Sequence, residues 1–290
     1  MTEQPDRRGF GTQTVCYRHP SRPTGLSCTE CGKPICVECS HDAPVGQKCP
    51  DCAKLPGRYR VVNARSAQNS AFAGAPFSAG MTAAIVAIFL VGFLFRDIGD
   101  QIETQFAQFN SLVAAGEWWR ILTAAMLHSR SLLVHVGFNA YAIYLFGPQL
   151  ERRIGSPAFA TLYVASAAAG GAAAFLLGRG GLGASGAVFG LFGAWFFVSY
   201  KTRKTAAGRQ MFNRMLIILG LNAALPIFIP FIGWEAHAGG FVAGLLISFL
   251  WSKTAAGKPN AKTLRVWVAL PILVLSILSV IVLQPLNLFG

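Results

Sequence analysis

From residue 78 onward the chain alternates between long apolar runs and short charged gaps. The runs lie near 78–95, 131–150, 157–177, 183–200, 211–232, 235–252 and 264–284. Each is close to the roughly 20 residues that an α-helix needs to cross the hydrocarbon of a bilayer. The pattern therefore predicts seven transmembrane helices in a single domain, 78–290. Between the first and second runs, 96–130 reads as a long loop of amphipathic character, and its Trp118 and Trp119 suit a membrane interface. Ahead of residue 70 the pattern changes to polar and cysteine-bearing. Residues 1–15 are expected to be disordered, and 16–52 to form a compact module. Residues 53–77, a mixture of Ala, Arg, Ser, Gly and Pro, read as a linker.

Composition sharpens this picture. Of 290 residues 53% are hydrophobic and 13% charged, whereas a soluble domain carries about 25% charged residues. A soluble globule is excluded, and the fold class expected is an all-α membrane protein, multi-pass in the cell membrane, preceded by a small module. A formal net charge of +13 could mark a nucleic-acid partner. Most Lys and Arg beyond residue 53, however, sit in the gaps between apolar runs, where they orient helices. With the N-terminus inside, the inner gaps hold fifteen basic residues between Lys54 and Arg265, against Arg96, Arg120, Arg130 and Arg179 outside. The positive-inside rule then places the N-terminus in the cytoplasm and the C-terminus outside. The opening MTEQPDRRGF has no apolar core of the kind a signal peptide needs, in keeping with that placement. Nucleic acid is not expected as a partner.

All seven cysteines fall in the N-terminal module, as Cys16-x2-His19, Cys28-x2-Cys31, Cys36-x2-Cys39 and Cys49-x2-Cys52. A two-residue gap lets both side chains of a pair turn onto one ion, and tetrahedral Zn²⁺ takes four such S or N ligands. Eight ligands predict two structural zinc ions. So short a segment buries too little apolar surface to fold unaided, so the metal supplies the folding free energy. The order of the pairs resembles the B-box and other cross-brace zinc folds. That likeness implies that Cys16, His19, Cys36 and Cys39 share one ion and Cys28, Cys31, Cys49 and Cys52 the other; sequential pairing remains open. His41 is a spare candidate, read first as a solvated loop residue. A disulfide framework belongs to oxidising compartments, against the cytoplasmic placement of this module. The module is expected to serve as a structural scaffold, with binding of a cytoplasmic partner as the alternative.

Polar side chains inside apolar runs are costly and mark functional positions by default. With the topology above, the second, fourth and sixth helices all begin at the outer face. His135 and Asn139 open the second, Ser185 the fourth and His237 the sixth. A serine hydroxyl is a weak nucleophile until a neighbour takes its proton, and His237 is the available base. His135 and Asn139, four apart, share one helical face and can both donate toward an oxyanion forming beside the Ser185 amide. Taken singly, each of these residues is read as glue between helices; at one depth, together, they point to a catalytic site. Gly186-x3-Gly190 and Gly240-x3-Gly244 read as small faces that draw the fourth and sixth helices together.

Five motifs in order resemble the rhomboid intramembrane proteases over nearly all of 78–290. They are Trp119-Arg120, His135-x3-Asn139, Gly147-x3-Glu151-x3-Gly155, Gly183-x-Ser185-Gly186 and Ala236-His237-x2-Gly240-x3-Gly244. The resemblance implies a six-helix core with one appended C-terminal helix, here 264–284, that cuts transmembrane segments of other membrane proteins near the outer face. It implies Ser185 as nucleophile and His237 as general base and acid, with His135, Asn139 and the Ser185 amide as oxyanion hole. It implies no cofactor for catalysis. Many relatives carry a tyrosine stacked on the catalytic imidazole where this chain has Phe189, which keeps the ring and loses the hydroxyl. The alternatives are an inactive relative that binds membrane proteins, a transporter lined by the same polar residues, and a membrane-tethered zinc-finger regulator.

Overall fold

The computed structural model describes residues 14–43, 46–53, 72–228 and 232–283. The chain divides into two compact units, 1–63 and 64–290. Most of the expected N-terminal tail, the expected linker over 54–71 and the end of the chain from 284 lie outside the described residues.

The first unit contains a two-stranded antiparallel ribbon, β1 (His41–Asp42) and β2 (Gln47–Lys48), with a 3-10 turn over Val37–Cys39 and a short helix α1 (Pro50–Ala53). Its buried side chains are Cys16, Cys28, Cys36, Cys39 and Cys49 around Ile35. That is far too little apolar surface to offset the entropy of ordering the chain.

Among its described residues the second unit holds seven long helices: α2 (Pro76–Leu94), α6 (Leu133–Ile154), α7 (Ser156–Leu176), α8 (Ser185–Thr202), α9 (Ala206–Phe228), α10 (Trp234–Thr254) and α11 (Ala261–Leu283). Of these, α2, α7 and α11 are long and apolar enough to cross a membrane by composition alone. Several helices outrun their apolar segments. The second continues to Ile154 through Glu151, Arg152 and Arg153, and the fifth begins at Ala206, ahead of Arg209 and Gln210. Hydropathy marks the length in lipid, whereas charged residues with good helix propensity carry the hydrogen-bonded ladder beyond it.

The loop over 96–130 is largely helical: α3 (Arg96–Phe106), α4 (Asn110–Ala114), α5 (Arg120–Thr123) and a 3-10 turn over Ala124–Met126. Arg120 organises it from within. Its buried guanidinium donates to the carbonyls of Thr104 at 3.0 Å and Ala107 at 2.8 Å and pairs with Glu117.

The fully buried Glu151 carboxylate accepts the N–H groups of Phe77 at 2.9 Å and Ser78 at 2.8 Å, and the Ser78 hydroxyl at 2.6 Å. It thus caps α2, satisfying donors that the first turn of a helix leaves open. At the centre of the bundle α7 packs against α8, α10 and α11. The helices α8 and α10 meet most closely, along small residues. A β-carbon on Gly240 would collide with the Gly186 carbonyl, and one on Gly244 with the Gly190 carbonyl. Backbones in lipid pack tightly where side chains are absent.

Candidate active site

Ser185 is the first residue of α8, His237 the fourth of α10 and His135 the third of α6, so all three stand at one end of the bundle. Gly183 enters α8 with φ +141°, a conformation that glycine adopts freely and other residues resist. A β-carbon there would lie 2.8 Å from His135 Nε2 and 3.8 Å from Ser185 Oγ, so the imidazole and the hydroxyl border one point. Gly183 N–H donates to the Ala124 carbonyl at 2.9 Å. No side chain caps α8 at Ser185, and the leading N–H groups of a helix have no partner within it. They carry partial positive charge suited to a developing oxyanion.

His237 is brought to the same place by backbone contact. The carbonyl of Ala236, the residue before it, stands 3.5 Å from where a Gly186 β-carbon would be and 2.8 Å from the same position on Gly170. The residue after the serine and the residue before the histidine therefore face each other. The Phe189 ring, one turn beyond Ser185 on α8, lies flat on the His237 imidazole, with centroids 4.1 Å apart and planes inclined by 7°. Phe189 is buried while Ser185 and His237 are half-buried, so the ring serves as a wall and the two polar groups stay reachable.

Asn139 is buried one turn below His135, and its amide donates to the His135 carbonyl at 3.0 Å. That bond uses one of its two N–H groups and leaves the second for another acceptor.

The structure also brings in residues that sequence reasoning passed over. His128, buried in the loop before α6, accepts the Ala184 N–H on Nε2 at 3.4 Å and sets its ring edge-on to His135, 5.0 Å between centroids. Gln108 pairs by two backbone bonds, 3.0 and 2.9 Å, with Gly181 in the segment leading to Ser185. Arg179 of that segment reaches the buried Glu235, two residues before His237, at 3.4 Å. All three belong to irregular or terminal segments, where no periodicity draws attention to them.

In the first unit the ligand atoms gather as two sets, Cys16, His19, Cys36 and Cys39, and Cys28, Cys31, Cys49 and Cys52, each within 4.8 Å. His19 Nδ1 stands 3.8, 3.4 and 3.4 Å from the sulfurs of Cys16, Cys36 and Cys39, and Cys31 Sγ stands 3.7 Å from Cys49 Sγ. These match the edges of a tetrahedron, about 3.3–3.8 Å, drawn by S and N ligands on one zinc ion. His41 pairs in the ribbon with Lys48 and belongs to neither set. Backbone N–H groups of Cys31 and Cys49 pull the Cys28 thiol down to about 6, toward the thiolate that a metal requires, while hydrogen bonds from Cys31 and Cys49 push the Cys52 thiol of the same set up.

The family models agree with both halves. The rhomboid domain matches residues 115–254, and the B-box zinc finger matches 11–43, short of Cys49 and Cys52. Rhomboid protease GluP of Bacillus subtilis is 34% identical over 156 residues, 53% of this chain and 29% of its own length. YdcA of the same bacterium is 38% identical over 146 residues, 49% of this chain and 71% of YdcA. Rhomboid protease GlpG of Haemophilus influenzae is 31% identical over 140 residues, 47% of this chain and 71% of GlpG. The chain thus spans under a third of GluP and about seven tenths of the two shorter relatives.

Proposed function

This chain belongs to the rhomboid family, and on that footing we propose that it is an intramembrane serine endopeptidase cutting transmembrane segments of other membrane proteins. The observation that carries the proposal is the flat stacking of Phe189 on His237, one turn beyond Ser185. It holds a base against the helix that bears the hydroxyl.

Ser185 Oγ attacks the scissile carbonyl carbon while its proton passes to His237. The oxyanion is met by the Ser185 N–H, His135 and the second amide hydrogen of Asn139, donors arranged before the charge forms. The tetrahedral intermediate collapses as His237 returns the proton to the departing nitrogen. A water, deprotonated by the same imidazole, then hydrolyses the acyl-enzyme. The half-exposure of Ser185 and His237 gives that water a route. A helical peptide bond is shielded by its own hydrogen bonds, so substrates carry small or helix-breaking residues near the cut.

The distribution of basic residues puts the site near the outer face, with the N-terminus and the zinc module in the cytoplasm and the C-terminus outside. The module carries two zinc ions, one in each ligand set. They serve its folding, while Ser185 and His237 work without metal.

The deciding experiment presents the full chain, reconstituted in vesicles, with a single-span reporter protein. Cleavage within the span that Ser185→Ala abolishes is the expected result. A folded chain that binds the reporter and leaves it intact would instead make this an inactive rhomboid that holds membrane proteins.

A further inference from the structure

His128 is a buried imidazole that the reaction above does not use. Its Nε2 accepts the Ala184 N–H at 3.4 Å, so that nitrogen carries no proton and the neutral ring bears its hydrogen on Nδ1. Nδ1 is buried with no protein partner. The ring also borders a cavity of about 20 Å³ shared with Glu103, Arg130 and Leu182.

Ala184 is fully buried and is the last residue before the serine. On its other side the Gly183 N–H is tied to Ala124. Two successive amides of the approach to Ser185 are thus anchored to the segment 124–128, the second by a side chain. The same ring abuts His135 edge-on, an orientation aromatic pairs favour.

We propose that His128 is a positioning residue: it clamps the Ala184 amide and braces His135, so that the Ser185 hydroxyl, its N–H and the His135 donor keep one geometry. The inference rests on Ser185 being the nucleophile. Misplacing a reacting group by about 1 Å costs on the order of 100-fold in rate, so the consequence falls on turnover rather than on substrate binding.

The test compares the full zinc-loaded chain with His128→Leu and His128→Gln in the vesicle assay and in labelling of Ser185 by a fluorophosphonate. The leucine variant is expected to lower kcat about 10- to 100-fold with KM within about twofold of wild type, and to slow labelling in step. The glutamine variant, whose side-chain oxygen can accept the Ala184 N–H, is expected to recover most of that loss. A leucine variant as fast as wild type, a loss confined to KM, or a glutamine variant no better than leucine overturns the proposal. Should the leucine variant fail to fold, ¹⁵N-histidine NMR of the wild type reads the clamp directly. A neutral ring protonated on Nδ1, whose signal disappears in the glutamine variant, is expected, and one protonated on Nε2 overturns it. A folded wild type that neither cuts nor labels takes down the nucleophile assignment itself, a different outcome from an active wild type indifferent to His128.

Discussion

At the scale of single residues, the chemistry depends on where side chains are missing as much as on where they are present. Gly183 combines a positive φ with an approach of 2.8 Å to His135. Gly183→Ala therefore forces backbone strain of about 1–3 kcal/mol and pushes the imidazole off its line. Near-complete loss of reporter cleavage is expected, with a measurably lower Tm. The Phe189 ring is a subtler case, because its contact with His237 is flat stacking rather than a hydrogen bond. Aromatic pairs contribute about 0.5–1.5 kcal/mol beyond their burial, so Phe189→Leu, which keeps apolar bulk and loses the plane, is expected to slow kcat by up to about tenfold. Phe189→Tyr, which keeps the plane, is expected to stay near wild type. The ingredients Ser185, His237, His135 and Asn139 were legible in the sequence because a polar group in an apolar run stands out. His128 was not, since it belongs to a loop with no period and acts on a backbone amide. The bond from Asn139 back to His135 was equally invisible, being a choice of rotamer.

Among the elements, α8 and α10 are held together by backbone contact, and the spacing of Gly186, Gly190, Gly240 and Gly244 announced it. Gly240→Val puts a branched β-carbon into the Gly186 carbonyl. The helices must separate, and both activity and thermal stability are expected to fall together, by several degrees in Tm and at least about 100-fold in kcat. The number of long helices could be read from hydropathy, but their ends could not. The run ending near 150 tells where lipid stops, while Glu151 continues the helix in order to cap α2. The inner order of 96–130 was also beyond the sequence, because Arg120 and the Gln108–Gly181 pairing act on main-chain atoms that any residue would supply. In the N-terminal module the elements are minimal and the ligands dominate. Treating the chain with a strong chelator is expected to release zinc and render residues 14–53 protease-sensitive, as followed by metal analysis and limited digestion; Cys36→Ser is expected to do the same without chelator. Acidification acts in the same direction. Cys28, held down to about 6 in the folded module, adds stability that is complete above the ordinary thiol value of about 8.5 and is lost as the pH falls through about 6. Zinc is expected to stay bound at pH 7 and to be released below about pH 5.

For the whole molecule, every cysteine lies between Cys16 and Cys52, which makes thiol chemistry a reporter of orientation. With the N-terminus in the cytoplasm, a membrane-impermeant maleimide is expected to leave intact cells unlabelled and to label permeabilised, chelator-treated ones. Labelling of intact cells after chelation would reverse the assigned topology. The break in hydrophobic pattern near residue 70 lies close to the boundary between the two compact units, 1–63 and 64–290.

The meeting of Gly170, Gly186 and the Ala236 carbonyl leaves no side chain through which the reaction centre could be adjusted. Any drift there would be felt by the proposed nucleophile and base at once, so inherited variation is expected to spare it and to collect in the outer loops and the lipid-facing surfaces. Preference for one target over another can diverge in those places while bond cleavage stays constant, and a catalogue of natural variants should show change accumulating around a motionless centre.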